Sequence, residues 1–303
     1  MPALAASQTI LDAIGNTPLL QLEGIWVKCE FLNPSGSVKA RFAKYVIEQA
    51  EKSGQLQPGD TVVEATSGNM GNALAMVAAA KGYSMIVVMP NGFTHERLAI
   101  SRAYGAEVRM VGDFHLQEAV AVAKELGDQP GYFCPRQFEN PLNVQENAEW
   151  LGQEILEQLP SNLAIDAFLQ GVGTGGTLVG VGQALREKNN PEVALIAVEP
   201  AESPTIATGK IAKHRIEGIS DGFVPEILER ARRFLHDVSA VTSDEAVEAM
   251  KEIAVRYGMF VGPSSGANWV AARRLQKSHP EWKNILTFFN DEGEKYLSEY
   301  FPS

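Results

Sequence analysis

The sequence predicts an α/β fold made of two doubly wound α/β units with a cleft between them. Three observations lead there. Short β-rich runs alternate with amphipathic helical stretches along most of the chain, and that alternation implies parallel strands covered by helices on both faces. Glycines stand where helical stretches stop, at Gly82, Gly127 and Gly258, as left-handed helix ends require. The alternation breaks once, between Gly131 and Asn143, in a loop-like stretch with three prolines counting Pro130. The boundary between the two units is expected at that break.

Each element has a local signal. A helix is expected over 41–52, after the turn-rich run Asn33-Pro34-Ser35-Gly36-Ser37-Val38-Lys39. Residues 61–65 read as a strand and 72–80 as a helix. A strand over 84–89, a helix over 94–104, a strand over 107–111 and a helix over 116–126 follow. Beyond the break, a strand over 167–170 leads into a glycine-rich loop, a helix over 177–188 and a strand over 193–198. Thr242-Ser243-Asp244-Glu245 is a capping box for a helix running to Tyr257, because Thr and Glu three apart satisfy each other's backbone N–H groups. Ser264-Ser265-Gly266 reads as the cap of a helix after Phe260-Val261-Gly262-Pro263, and 284–289 is the last strand.

Composition narrows the function. The chain has 303 residues, 45% of them apolar, enough for a sizeable core. Lys and Arg number 26 against 37 Asp and Glu, a net charge of −11, which argues against nucleic acid or an anionic membrane as partner. Cys29 and Cys134 are the two cysteines. They fit no metal or disulfide spacing and read as small buried hydrophobes, which points to a reducing compartment. No apolar run approaches the ~18 residues of a membrane span, and the N-terminus carries no basic-then-apolar leader pattern. A cytoplasmic location is therefore expected. The histidines, among them His95, His115, His214 and His236, show no metal-binding spacing, and a serine-hydrolase elbow is absent.

Three segments carry chemistry. Gly171-Val172-Gly173-Thr174-Gly175-Gly176 satisfies G-x-G-x-x-G between a strand and a helix, with Glu199 ending the next strand. By itself this leaves a dinucleotide site and a simpler phosphate cradle both open. Its physical content is shared by both: glycines let backbone N–H groups approach an anion, and the helix dipole adds to them. Thr66-Ser67-Gly68-Asn69-Met70-Gly71 also lies between a strand and a helix. Its hydroxyls, amide and free N–H groups suit a carboxylate, although taken alone plain helix capping by Thr, Ser or Asn is the better explanation. Lys39 precedes a helix, where the positive end of the dipole disfavours an ammonium and favours the neutral amine that attacks a carbonyl. A lysine, a carboxylate-sized loop and an anion loop in this order together point to a pyridoxal 5′-phosphate site.

These residues match a family. The chain resembles the cysteine synthases and, more broadly, the fold-type II pyridoxal phosphate enzymes that include cystathionine β-synthase, a fold of the tryptophan synthase β-like kind. The resemblance runs through Ile14 to Leu19, Asn33 to Lys39, Thr66 to Asn69, Gln137 to Asn140, Gly173 to Thr177, Glu217 to Ile219, Phe223 to Pro225, Ser264 to Gly266 and Gly293 to Ser298. A dinucleotide enzyme has no reason to carry the lysine and asparagine motifs. The resemblance implies that Lys39 holds the cofactor covalently and acts as base at Cα. Asn69 would bond the cofactor's phenolic oxygen, Gly173, Thr174, Gly175, Gly176 and Thr177 its phosphate, and Ser265 its pyridine nitrogen. Thr66, Ser67, Gly68, Asn69, Met70 and Gln137 would surround the substrate carboxylate, with Gly218 near the amino group. It also implies a larger domain of 1–38 and 143–303, a smaller mobile domain of 39–142, and a homodimer.

There are departures. Ala40 stands where the family often has Asp, Met70 where it has Thr, and 144–154 replaces a segment that borders the substrate. The expected reaction is β-replacement on an activated L-serine, with O-acetylserine and sulfide giving L-cysteine and acetate. The departures leave open O-phosphoserine or serine as donor and homocysteine or an amine as nucleophile, in cystathionine or diaminopropionate-type synthesis. Outside that class stand a nicotinamide oxidoreductase and a non-catalytic cofactor binder.

Overall fold

The structure, a computed structural model, describes residues 8–92, 95–113 and 116–301. Thr94 and His115 lie outside the described residues. Two sheets organise the chain. The larger has six strands in the order β1 (Leu19–Leu22), β2 (Ile25–Cys29), β10 (Ile285–Phe289), β7 (Ala167–Gly171), β8 (Ala194–Pro200) and β9 (Asp237–Val241). The smaller has four, in the order β5 (Glu107–Asp113), β4 (Ser84–Asn91), β3 (Thr61–Ala65) and β6 (Tyr132–Phe133). All pairings are parallel except the β1–β2 hairpin. That hairpin turns at Glu23 and Gly24, both at positive φ, and β2 then pairs with β10. The N-terminal segment is thereby joined to the C-terminal sheet.

Both sheets are buried on both faces, which explains strands as uniformly covered as β7, β8 and β10. On the small sheet, Val62 and Val87 face helices α1 (Lys39–Ser53) and α2 (Asn69–Lys81). Their neighbours Val63, Ile86 and Val88 face α4 (Leu116–Gly127), while α3 (His95–Ala103) packs beside α2. The large sheet alternates likewise. Phe168, Leu195, Leu286 and Phe288 face a helical layer that runs through α5 (Pro141–Glu146), a π-helical turn at Asn147–Leu151, α6 (Gly152–Gln158) and α7 (Gly176–Lys188). Ile25, Leu169, Ile196 and Phe289 face α10 (Ser243–Tyr257) and α11 (Pro263–Ser278), with the short α8 (Thr205–Thr208), α9 (Glu226–Ala231) and α12 (Leu297–Tyr300) completing the helices.

Most expected elements stand within a residue or two of their expected ends. Four strands, β1, β2, β6 and β9, had not been read from the sequence. Two helix starts differ. Helix α2 opens at Asn69, three residues before the expected 72, because Gly68 takes φ +145° and is itself the cap residue. Helix α11 is capped by Gly262 with Pro263 in its first turn, so Ser264 and Ser265 lie inside the helix and do not cap it. By contrast α10 starts and stops as expected, with both bonds of its capping box formed and Gly258 left-handed at its end.

A buried ionic cluster seats the start of α1. Arg41 donates to Glu30 at 2.8 Å and to Glu154 at 2.8 and 2.9 Å. Lys28 donates to Glu154 at 2.5 Å and to the Thr17 carbonyl at 2.6 Å. Glu154 also accepts the N–H groups of Asn16 and Thr17 at 2.9 and 3.1 Å. Burial pushes the Glu154 carboxyl up, but Arg41 and Lys28 outweigh it and hold the group down at about 2. Two cations thus meet two anions, the condition under which buried charges become tolerable. Glu154, from the divergent segment 144–154, is thus a structural anchor two residues from Lys39 through Arg41.

Candidate active site

The site lies where the carboxyl ends of β3, β7 and β10 converge, as expected for open parallel sheets. Lys39 is the first residue of α1 and is preceded by Val38, whose N–H bonds the Asn290 carbonyl at 3.0 Å. Burial depresses the Lys39 ammonium below its usual range, with the carboxylates of Asp221, Asp291 and Glu146 opposing. The lysine is thereby biased toward the neutral amine.

Two lobes open beside Lys39. One is lined by Asn69, Gly173, Thr174, Gly175, Thr177, Gly218 and Ser264. Here the glycine loop opens α7. Gly175 is left-handed at φ +84°, and a Cβ on Gly173 would come within 2.6 Å of the Gly218 carbonyl. The Gly176 N–H is taken by Thr174 Oγ1 at 3.2 Å and the Val179 N–H by the Gly175 carbonyl at 3.0 Å. The N–H groups of Thr177 and Leu178 then find no acceptor among the described residues, which is the ordinary state of a helix N-terminus awaiting an anion. Gly176 itself is turned away and packs on the Asn143 amide. Asn143 ties this loop to the other lobe by donating to Thr174 Oγ1 at 3.0 Å and to the Gln137 carbonyl at 2.9 Å.

The second lobe is lined by Thr66, Ser67, Asn69, Met70, Gln137, Gly218 and Asp221. Thr66 Oγ1 accepts the Gly68 N–H at 2.9 Å, so it shapes the loop and does not cap α2, which has no side-chain cap. Gly68 sits behind the lobe, where a Cβ would lie 2.2 Å from Arg97 Cδ. Gln137 is held by its N–H to Glu64 Oε2 at 3.1 Å and its amide to the Ala65 carbonyl at 2.8 Å. Burial pushes the Glu64 carboxyl up to about 8, although its backbone bonds oppose this.

Ser265 is fully buried beneath the first lobe, and its Oγ accepts the Asn290 N–H at 2.8 Å. A chain of amides supports Asn290: Asn268 donates to Gln170 at 2.8 Å, and Gln170 donates to Asn290 Oδ1 at 2.7 Å. Asn69 bonds Asp291 at 2.7 Å through Nδ2 and receives Lys295 at 3.0 Å on Oδ1. Outside the lobes lies a vestibule of about 580 Å³, lined by His95, His214, Arg215, Glu217, Asp221 and Glu299 among others. Both lobes share Gly218 with it.

A family model described as pyridoxal-phosphate dependent enzyme matches residues 10–291. The chain belongs to the pyridoxal-phosphate dependent enzymes. Cysteine synthase of Staphylococcus aureus is 41% identical over 298 residues, covering 95% of each chain. O-ureido-L-serine synthase of Streptomyces lavendulae is 40% identical over 300 residues, covering 96% of this chain and 91% of that one. The crystal structure of an O-acetylserine dependent cystathionine β-synthase from Helicobacter pylori superposes with a TM-score of 0.91 at 35% identity, over 98% of this chain and 99% of that one. The protein is thus a cysteine synthase-like enzyme of the fold-type II class. Its glycine loop is not a dinucleotide fingerprint.

The residues fit that cofactor: a lysine amine of lowered basicity, two free N–H groups at a helix start for a phosphate, and a buried serine hydroxyl lie around one cavity. The expected site residues converge, with Gly68, Gly176 and Ser265 just behind the lining. Asp221, Asp291, Arg97 and Lys295 had not been read as site residues. Lys295 lies inside the Gly293 to Ser298 motif that the resemblance already quoted, and Asp291 stands two residues before it. Asp221 lies three residues beyond Gly218, and no spacing rule marks it.

Proposed function

We propose that the protein makes L-cysteine from O-acetyl-L-serine and sulfide, releasing acetate. The observation that carries this reading is Lys39, an amine of depressed basicity at the junction of an anion-binding lobe and a carboxylate-sized lobe. When bound, pyridoxal phosphate supplies an electron sink for loss of the Cα proton and expulsion of the β-substituent. Lys39 would hold the cofactor and would take the Cα proton on its amine. Thr66, Ser67, Asn69 and Gln137 orient the substrate carboxylate at the start of α2, with Met70 forming an apolar wall. Thr177 and the loop before it hold the phosphate. Ser265 accepts a hydrogen bond from the Asn290 N–H, so its own hydrogen is free to meet a pyridine nitrogen that carries no proton.

A second reading has its own support. The vestibule of about 580 Å³ is far roomier than sulfide needs, and cations and carboxylates both line it. A larger nucleophile, such as the amino-acid thiol or the N-hydroxyl oxygen implied by the names of related enzymes, suits it better. We also take 39–142 to be a smaller unit that closes over the substrate, and the protein to be a cytoplasmic homodimer, to be checked by analytical ultracentrifugation.

The test has two stages. Borohydride reduction of the pyridoxal phosphate-loaded protein followed by peptide mapping should label Lys39, and a label on another lysine overturns the assignment. Serine derivatives are then offered with sulfide, homocysteine and hydroxyurea in turn. Cysteine formation from O-acetylserine at the highest kcat/KM supports the first reading, and preference for a larger nucleophile replaces it with the second.

A further inference from the structure

We propose that Lys295 is a positioning residue for the cofactor: with Asp291 it locks the Asn69 amide so that an N–H, not the carbonyl, is offered to the cavity. This rests on the reading that pyridoxal phosphate occupies that cavity. The two ends of an asparagine amide are distinguished by what they touch, because an ammonium only donates and a carboxylate only accepts. Lys295 Nζ lies 3.0 Å from one end of the Asn69 amide, which is Oδ1 because the carboxylate of Asp291 holds the other end. Asp291 Oδ2 lies 2.7 Å from the other, which must be Nδ2.

The acceptor role of Asp291 is itself enforced. Arg97, which can only donate, gives a hydrogen bond to Tyr296 Oη at 2.5 Å. The tyrosine's own hydrogen is then directed to Asp291 Oδ2 at 2.6 Å. Asn69 cannot turn over without setting donor against donor at one end and acceptor against acceptor at the other. One of its two N–H bonds is used on Asp291. The second remains for the lobe that Asn69 lines together with Lys39. The group it recognises is an oxygen acceptor, which on pyridoxal phosphate is the phenolic oxygen.

Lys295 does more than orient one amide. Its side chain is fully buried, and it also donates to the Ser35 carbonyl at 2.8 Å and the Gly36 carbonyl at 3.1 Å. Those carbonyls belong to the turn that leads into Lys39. One ammonium therefore ties the turn before Lys39 to the residue that opens α2, setting the spacing between the amine and the amide.

The test separates this role from general support of the fold. Lys295→Met should weaken pyridoxal phosphate binding about tenfold, the equivalent of one well-oriented hydrogen bond. Asn69→Ala should lose a similar factor, and the double variant should fall well short of the product of the two losses, the remainder coming from the Lys295 bonds to the Ser35 and Gly36 carbonyls. Losses that multiply in the double variant would show that Lys295 does not act through Asn69, and would overturn the proposal. If Lys295→Met does not fold, the wild-type apoprotein supplies a second measurement. The side-chain amide of Asn69, assigned in a ¹⁵N spectrum by its loss in Asn69→Ala, should show one proton protected from solvent exchange, the one given to Asp291. Added pyridoxal phosphate should protect the other. Two amide protons that both exchange at the unprotected rate overturn the proposal even where borohydride labels Lys39. A label elsewhere removes the functional reading on which it rests.

Discussion

Glu146 gives the sharpest quantitative prediction. Its carboxyl is 1% exposed, and Oε1 has no hydrogen-bond partner among the described residues. Burial pushes it up to about 8, with Arg41 opposing, Glu30 adding, Lys39 opposing and Glu154 adding. At neutral pH the folded protein therefore keeps a proton that the unfolded chain, near the ordinary 4.5, has released. Stability must then fall as pH rises from about 4.5 to about 8, by about 1.4 kcal/mol per pH unit, and level off above. At about pH 7 the cost is about 3 kcal/mol. Glu146→Gln keeps the shape and removes the titration. Urea unfolding of both apoproteins at half-unit steps from about pH 5 to about pH 9 should show the variant gaining on the wild type up to about pH 8, then running parallel. Glu64 and Glu217, pushed up to about 8 and about 7, titrate over the same window but cancel in the difference. Parallel curves throughout would mean that Glu146 is ionised in the folded protein, held by Arg41 and Lys39, and the reasoning fails.

Other expectations are simpler to check. Lys39→Ala should fold with an unchanged circular dichroism spectrum and bind pyridoxal phosphate without any borohydride-trappable link. Met70→Thr adds a hydroxyl in the carboxylate lobe and should tighten O-acetylserine severalfold to about tenfold, the worth of one hydrogen bond of ordinary strength, as read from spectral titration. Thr242→Ala removes the side-chain acceptor of the Glu245 N–H and one partner of the Glu245 carboxylate, and should destabilise by about 1 kcal/mol in chemical denaturation without changing KM. Ser265→Asp places a carboxylate where a neutral hydroxyl stands. It should protonate the pyridine nitrogen, slow acetate release and raise side reactions, whereas Ser265→Ala should be mild. Equal or faster acetate release with the cofactor fully bound would refute that account.

The fold was legible where its signals are local. Helix α10 lies between Thr242 and Gly258, the two residues that mark its ends. Lys39, the Thr66 turn and the glycine loop were legible because each is a strand-to-helix junction with residue types that few other contexts require. The start of α11 was misread although Gly262-Pro263 announced it, since proline favours the first helical turn and leaves the cap to its predecessor. What could not be read depends on separation along the chain. Strand β2 owes its place to β10, some 260 residues away. Glu154 reaches Arg41 across 113 residues and Lys295 reaches Asn69 across 226. A lone lysine or glutamate reads as a solvated surface charge until its partners are known, because burial of a charge is decided by pairing and not by residue type.

The same long-range bonds show how the departures at 144–154 can leave the proposed chemistry in place. The proposed chemistry needs Lys39, Asn69 and the glycine loop at fixed spacings, and the residues at 144–153 bear on them at one remove, as where Asn147 donates to Asn143 behind Thr174. Lys39 is seated from behind by Arg41 on Glu30 and Glu154, and from the side by the Val38 and Lys295 bonds to the 35–38 and 290–295 loops. Asn69 is seated by Asp291 and Lys295. Within the divergent stretch, only Glu154 enters this frame directly, and Trp150 covers it by lying over the guanidinium of Arg41 at 5.3 Å. Substitution there can reshape what approaches the lobes while the positions of amine, amide and anion cradle stay fixed. Variation among related enzymes in their second substrate is what such a division of labour allows.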